Sequence, residues 1–174
     1  MRIGHTAPDF ELPDHSGELR ALTDLTASGP VVLFFYPAAN SPICTAEACH
    51  FRDLGSEFER FGAHRVGIST DTRDSNQHFA LQRSFDFPLL SDSDGTVAEQ
   101  FGVRRGGWFT RRRRLREFER GRAHAAERGY VRQLLSVKRT TFVIDRHRTV
   151  RMVVRSERGH VHATKALEYL RYLS

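Results

Sequence analysis

The chain has two cysteines, Cys44 and Cys49, and both fall in one stretch, YPAANSPICTAEACHF, residues 36–51. A thiolate is a nucleophile toward oxidants and disulfides and a ligand for soft metals, so the surroundings of each sulfur decide its use. Ser41 is suited to be a helix N-cap, Pro42 fits the first helical position, and Cys44 then takes the third. That location offers unpaired backbone N–H groups and the positive end of the helix dipole, both of which favour a thiolate. Cys49 lies deeper in the same helix without such help, so the pair reads as one attacking thiol and one resolving thiol. On an ideal helix the two Cα atoms are about 8.5 Å apart, beyond the roughly 7 Å that a disulfide spans without backbone movement. A disulfide between them therefore requires the helix to open.

Other chemistries of a cysteine pair fit less well. Two cysteines beside His50 lack the paired short spacings of a zinc cluster, and neither a metal nor an organic cofactor is expected. The C-x-x-C spacing of disulfide exchangers is absent, which leaves thiol-disulfide exchange as a third option. The bland reading of Cys49 is a small apolar residue on a helix.

The elements that must position these thiols follow from the patterning. VVLFFY (31–36), RVGIST (65–70) and FPLLSD (87–92) read as strands, and TTFVID (140–145) and TVRMVV (149–154) as two more joined by the polar turn DRHR. Phe51, Leu54, Phe58 and Phe61 recur at helical spacing and stop at Gly62. DSNQHFALQRSF and SDGTVAEQFGV suggest two shorter helices, and ATKALEYLRYL a final helix with Ala166, Leu167, Leu170 and Leu173 on one side. FELPDHSGELRAL suits an N-terminal hairpin turning at Ser16 and Gly17. The alternation implies an α/β fold with a central mixed sheet flanked by helices.

With 174 residues, 39% of them hydrophobic, the chain can form one domain, 1–174, with its own core. No signal-peptide pattern opens the sequence and no apolar run is long enough to span a bilayer, so a cytoplasmic protein is expected, with no membrane partner. In a reducing compartment a cysteine pair is catalytic more often than structural. The net charge of +6 is local. Residues 104–139 hold 13 Lys and Arg against 3 Glu, a net +10, which leaves −4 for the rest. The basic character belongs to an inserted segment at about 106–136, not to the fold. A solvated insertion is the default for it, and docking of nucleic acid or another polyanion is the rival.

FFYPAANSPICTAEACHFRD resembles the active-site segment of peroxiredoxins, in which Pro37, Ser41 and Cys44 match the pattern of Pro, three residues, Thr or Ser, two residues, Cys. The second cysteine five positions on is similar to the bacterioferritin-comigratory-protein, or PrxQ-like, subgroup. KRTTFVID resembles the later segment that supplies an active-site arginine, which assigns that role to Arg139. The similarity runs from GHTAPDFELPD to the last helix. It implies a thioredoxin-like fold and thiol-dependent reduction of hydrogen peroxide or organic hydroperoxides. Cys44 would become a sulfenic acid and then a Cys44–Cys49 disulfide, which thioredoxin, glutaredoxin or another dithiol would reset. Arg139 and the Ser41 hydroxyl would steady thiolate and peroxide, and Pro37 would wall the site. Glu47 is expected in a structural pairing, and the histidines form no constellation. A monomer or weak homodimer is expected. Two departures stand out: Ile43 occupies a position where Gly is common, and the 106–136 segment is longer than the connection expected there. The rival from another class is a scaffold whose basic arm binds polyanions while the thiols are vestigial or sensory.

Overall fold

The computed structural model describes residues 1–105 and 137–173. The longest apolar run forms the middle of a five-stranded sheet. This strand, β3 (Val31–Phe35), is buried at every position and pairs in parallel with β4 (His64–Ser69) on one side and antiparallel with β6 (Thr140–Ile144) on the other. β5 (Leu89–Ser91) and β7 (Val150–Arg155) complete the order β5-β4-β3-β6-β7. Both faces of β3 are covered, which is why its pattern is continuous, not alternating.

Val32, Phe34 and Tyr36 point to one face, where α2 (Pro42–Asp53), α3 (Gly55–Arg60), α4 (Arg73–Arg83) and α6 (His160–Leu173) pack. Val31, Leu33 and Phe35 point to the other, under α1 (Leu22–Ser28), α5 (Thr96–Gln100) and the N-terminal segment. Strands β1 (Glu11–Pro13) and β2 (Leu19–Ala21) form the expected hairpin, with Gly17 at φ 97° in its turn. Helix α4 starts from Thr72, whose hydroxyl accepts from the Ser75 N–H.

Two local expectations need correction, and one helix has no counterpart in the sequence pattern. The Phe51–Phe61 stripe is not continuous, because Leu54 leaves helical geometry between α2 and α3. The break frees the Phe51 carbonyl to accept from the Arg65 guanidinium at 3.0 Å. Gly55 makes this approach feasible, since a Cβ there would lie 2.8 Å from Arg65 Nη1. Helix α1 lacks a side-chain cap, so no start signal marks it. Leu173 is 60% exposed, whereas Ala166, Leu167 and Leu170 are buried as expected.

The segment 106–136 lies outside the described residues, and with it the expected basic helix. Its flanks do not: Arg104 and Val137 form an antiparallel bridge, and the Lys138 N–H donates to the Val103 carbonyl at 2.7 Å. The chain thus leaves and rejoins the fold at one closed neck. Among the described residues, no helix is long and apolar enough to cross a membrane.

Candidate active site

Sheet topology brings the site together. β3 and β6 are antiparallel with Phe35 opposite Thr140, so the residues following Phe35 and the residue preceding Thr140 meet at one end of the sheet. After β3 the chain passes the buried Pro37, and the Ala39 N–H donates to Asp71 Oδ2 at 2.9 Å. Asn40 then takes a left-handed conformation, φ 59°, which Asn tolerates better than most residues. That turn delivers Ser41 in extended geometry as the N-cap of α2, with Pro42 opening the helix.

The Cys44 N–H donates to Ser41 Oγ at 3.3 Å, so the thiol lies in the capped first turn and only 1% of the residue is exposed. The other end of the site is Arg139. Its Nη2 donates to Cys44 Sγ at 3.2 Å and its Nη1 to Glu47 Oε2, both in the interior. Cys49 is partly buried on the same helix, and both cysteines are free. Pro42 and Ile43 are exposed beside the thiol, Ile43 at 53%.

Behind Glu47 stands α6. Gly159 lets that helix's start press against α2, since a Cβ there would lie 2.9 Å from the Ile43 carbonyl and 3.0 Å from Glu47 Cβ. His162, fully buried, comes within 3.7 Å of Glu47 Oε1. Its Nε2 meets the Ser156 carbonyl at 3.0 Å, so that nitrogen carries the proton, and its Nδ1 accepts from the Thr141 hydroxyl at 2.8 Å. Tyr36, at the end of β3, donates from its hydroxyl to Asn76 Oδ1 at 2.8 Å.

Electrostatics in this pocket run against water. Burial pushes the Glu47 carboxyl up to about 8 despite the opposing pull of Arg139. Burial likewise depresses His162 to about 4, against the Ser156 carbonyl. Burial also works against the Arg139 charge, but Glu47 and Cys44 outweigh it and hold the guanidinium above its ordinary range. Among the described residues, Glu47 Oε1 and Arg139 Nε have no hydrogen-bond partner.

The candidate residues thus divide. Cys44, Arg139 and Ser41 converge through hydrogen bonds, and Glu47 has the pairing expected of it. Pro37 is buried on the approach and Cys49 stands further along the helix. His162 was missed, as were Thr141 and Tyr36. Its signal was available: His162 shares the buried stripe of Ala163, Ala166, Leu167 and Leu170, and a titratable residue on such a stripe faces the core. Among the described residues, no group of His, Cys, Asp and Glu could hold a metal ion. The groove lined by Pro30, Phe61, Val143, Arg146 and Leu170 opens at the opposite end of β3 from Cys44.

A buried thiol in a capped first turn, beside an arginine donor and on a thioredoxin-like sheet, is the arrangement expected of a thiol peroxidase of the peroxiredoxin class. The chain belongs to the AhpC/TSA family, whose profile matches residues 3–153. A protein of Mycobacterium tuberculosis (strain CDC 1551 / Oshkosh) that bears a peroxiredoxin name is 51% identical over 172 residues, 98% of this chain and 97% of its own. Peroxiredoxin Bcp of Escherichia coli (strain K12) is 44% identical over 103 residues, 59% of this chain and 65% of its own. Among solved structures, the peroxidoxin BcpB from Mycobacterium tuberculosis superposes with a TM-score of 0.83 at 50% identity, covering 100% of this chain and 99% of its own. The Xanthomonas campestris bacterioferritin comigratory protein, described for its alkyl peroxide reduction activity, matches with a TM-score of 0.75 at 26% identity over 94% of this chain and 91% of its own.

Proposed function

We propose that the chain reduces hydrogen peroxide and organic hydroperoxides by way of Cys44, with Cys49 as the resolving thiol. The Cys44 thiolate attacks one peroxide oxygen, the S–O bond forms as the O–O bond breaks, and water or an alcohol leaves after taking up a proton. Sulfur loses two electrons and the peroxide gains them. The observation that carries this reading is the 3.2 Å contact from Arg139 Nη2 to Cys44 Sγ in the capped first turn of α2. A fixed guanidinium fork can hold the thiolate and the developing oxyanion together. Ser41 acts from the helix cap, and Pro37 shields the site from water.

Cys49 then condenses with the sulfenic acid, releasing water, and an external dithiol protein such as thioredoxin or glutaredoxin reduces the disulfide by exchange. Because the pair is too far apart on an intact helix, the first turns of α2 must open for this step. The exposed Ile43 at the mouth gives peroxides with an apolar substituent a surface to rest on. The chain acts as one domain, with 106–136 inserted at the Arg104–Val137 neck. No observation on the described residues favours the polyanion-binding reading.

The test is peroxide consumption at substoichiometric protein with a thioredoxin system as electron source. Many turnovers per chain are expected, and none without the dithiol. Consumption limited to one peroxide per chain in the presence of reductant would overturn the reading.

A further inference from the structure

The buried cluster holds more acid than base. Cys44 and Glu47 are two acids sharing a single fixed cation, Arg139, and all three residues are at most 4% exposed. With both acids ionised the cluster would carry an uncompensated buried negative charge, which a low-dielectric interior strongly disfavours. Among the described residues, no other packed element supplies a second cation. From α6, His162 is neutral with both nitrogens engaged, and its Nδ1 has no proton to offer Glu47 Oε1. Glu157, in the segment before that helix, is itself acidic and is paired with Arg105. From β6, Thr141 spends its hydroxyl on His162. From the end of β3, Tyr36 spends its own on Asn76. Among the described residues, Glu47 Oε1 therefore faces a wall with no donor and has no hydrogen-bond partner.

We propose that Glu47 carries a proton while Cys44 is a thiolate and gives it up when Cys44 is oxidised, so that Arg139 faces one anion at a time, first the sulfur and then the carboxylate. This inference rests on the peroxidase reading. Glu47 is a positioning residue in this scheme, since it acts through Arg139 and not on the peroxide. Before reaction the cluster holds Cys44 thiolate, Arg139 cation and neutral Glu47. The thiolate gives an electron pair to a peroxide oxygen, the O–O bond breaks, and the departing alkoxide or hydroxide takes a proton from solvent at the mouth. The sulfur is now a neutral sulfenic acid, so the anion that Arg139 had balanced is gone. Glu47 releases its proton to solvent and replaces that anion, which leaves the net charge of the cluster unchanged. The upward displacement of Glu47 by burial accords with this order of events.

Infrared difference spectroscopy on the full chain carrying Cys49→Ser reads this directly, because that variant stops at the sulfenic acid. At neutral pH the reduced protein should show the carbonyl stretch of a buried, protonated carboxyl. One equivalent of peroxide should abolish it and raise a carboxylate band in its place. Labelling the glutamates with ¹³C should shift the lost band, and Glu47→Gln should remove it; if that variant fails to fold, the labelling still assigns the band to a glutamate, and Glu47 is the buried glutamate among the described residues. A reduced protein without the protonated band, or a band that peroxide leaves untouched while mass spectrometry finds one oxygen on Cys44, would overturn the proposal. Absence of the oxygen adduct would instead bring down the peroxidase reading, and this inference with it.

Discussion

Two buried arginines grip opposite ends of helix α2, and they have opposite characters. Arg65, 6% exposed, donates to the Phe51 carbonyl near the C-terminal end of the helix and to both carboxylate oxygens of Asp86, at 3.1 and 2.8 Å, and lies over the ring of Phe87. Its acidic partners, Asp86 and the more distant Glu59, are half or more exposed, so their charges remain hydrated. Arg139, 4% exposed, faces a carboxyl group and a sulfur that are as buried as itself, and among the described residues its Nε and Glu47 Oε1 have no partner. The first arrangement is a satisfied staple between α2, β4 and the loop at Asp86. The second keeps unspent electrostatic stress next to a nucleophile, which is what preorganised stabilisation of a developing charge demands.

The comparison can be broken by substitution. Cys44→Ser should have the largest effect, reducing dithiol-dependent peroxide turnover to background while circular dichroism remains native. Residual turnover in that variant would remove Cys44 from the reaction. Arg139→Ala should lower kcat/KM for peroxide by about 10²- to 10³-fold, the usual loss on removing an oxyanion donor, and should slow alkylation of Cys44 at neutral pH because a nearby cation is gone. Arg65→Ala should do the reverse: it leaves the Phe51 carbonyl unpaired and destabilises by about 1–3 kcal/mol, with activity per folded molecule little changed. Equal loss of activity in both arginine variants would erase the distinction.

The pH dependence of stability sharpens the contrast further. Glu47, raised to about 8 from 4.5, binds more protons in the folded state, so its contribution is lost as pH rises from about 4.5 to 8. His162, depressed to about 4 from 6.5, binds more protons when unfolded, so its contribution is lost as pH falls from 6.5 to about 4. The two slopes, each up to about 1.4 kcal/mol per pH unit, oppose each other between 4.5 and 6.5. Stability from this cluster should thus be nearly flat in that interval and decline above 6.5. Urea denaturation of Glu47→Gln should show the decline above 6.5 reduced, whereas Asp86→Asn should leave it in place.

A smaller effect is expected outside both arginine sites. Replacing residues 108–134 by a short linker should leave peroxide turnover within a few-fold of the parent, since the described flanks pair with each other at the Arg104–Val137 bridge. Loss of folding would show instead that the segment belongs to the core.

Much of this site was legible in the sequence, for local reasons. Ser41-Pro42 fixes where α2 begins, and that alone puts Cys44 in the first turn. The apolar run of β3 announces a strand covered on both faces. Arg139 has no such local signature: a lone arginine before a strand looks like surface, and only the match to a peroxiredoxin segment singled it out. Its burial comes from the antiparallel register of β3 and β6, a contact between residues about 95 apart in the chain. The stripe of the last helix turns His162 toward the core, but its nearness to Glu47 depends on the packing of α6 against α2 through Gly159, which no pattern within that helix encodes. The break at Leu54 escaped notice for a similar reason, since the Arg65 guanidinium that exploits it arrives from β4.

Opening of α2 separates the two ends of the helix in time. Amide hydrogen exchange should show residues 42–50 losing protection in the disulfide form, while 54–61, anchored by the buried Phe58 and by Phe61 packed at the edge of the core, keep theirs. Equal protection of 42–50 in both states, with the disulfide confirmed, would rule out the unwinding.

The most direct test of the central claim, that Cys44 takes the oxygen and Cys49 resolves it, is mass spectrometry of the chain and its peptides after one equivalent of peroxide without reductant. The intact protein should lose two hydrogens and yield a peptide crosslinked between Cys44 and Cys49, and Cys49→Ser should instead retain one added oxygen on Cys44. Oxygen found first on Cys49, or an unmodified Cys44 in the wild-type chain, would contradict it.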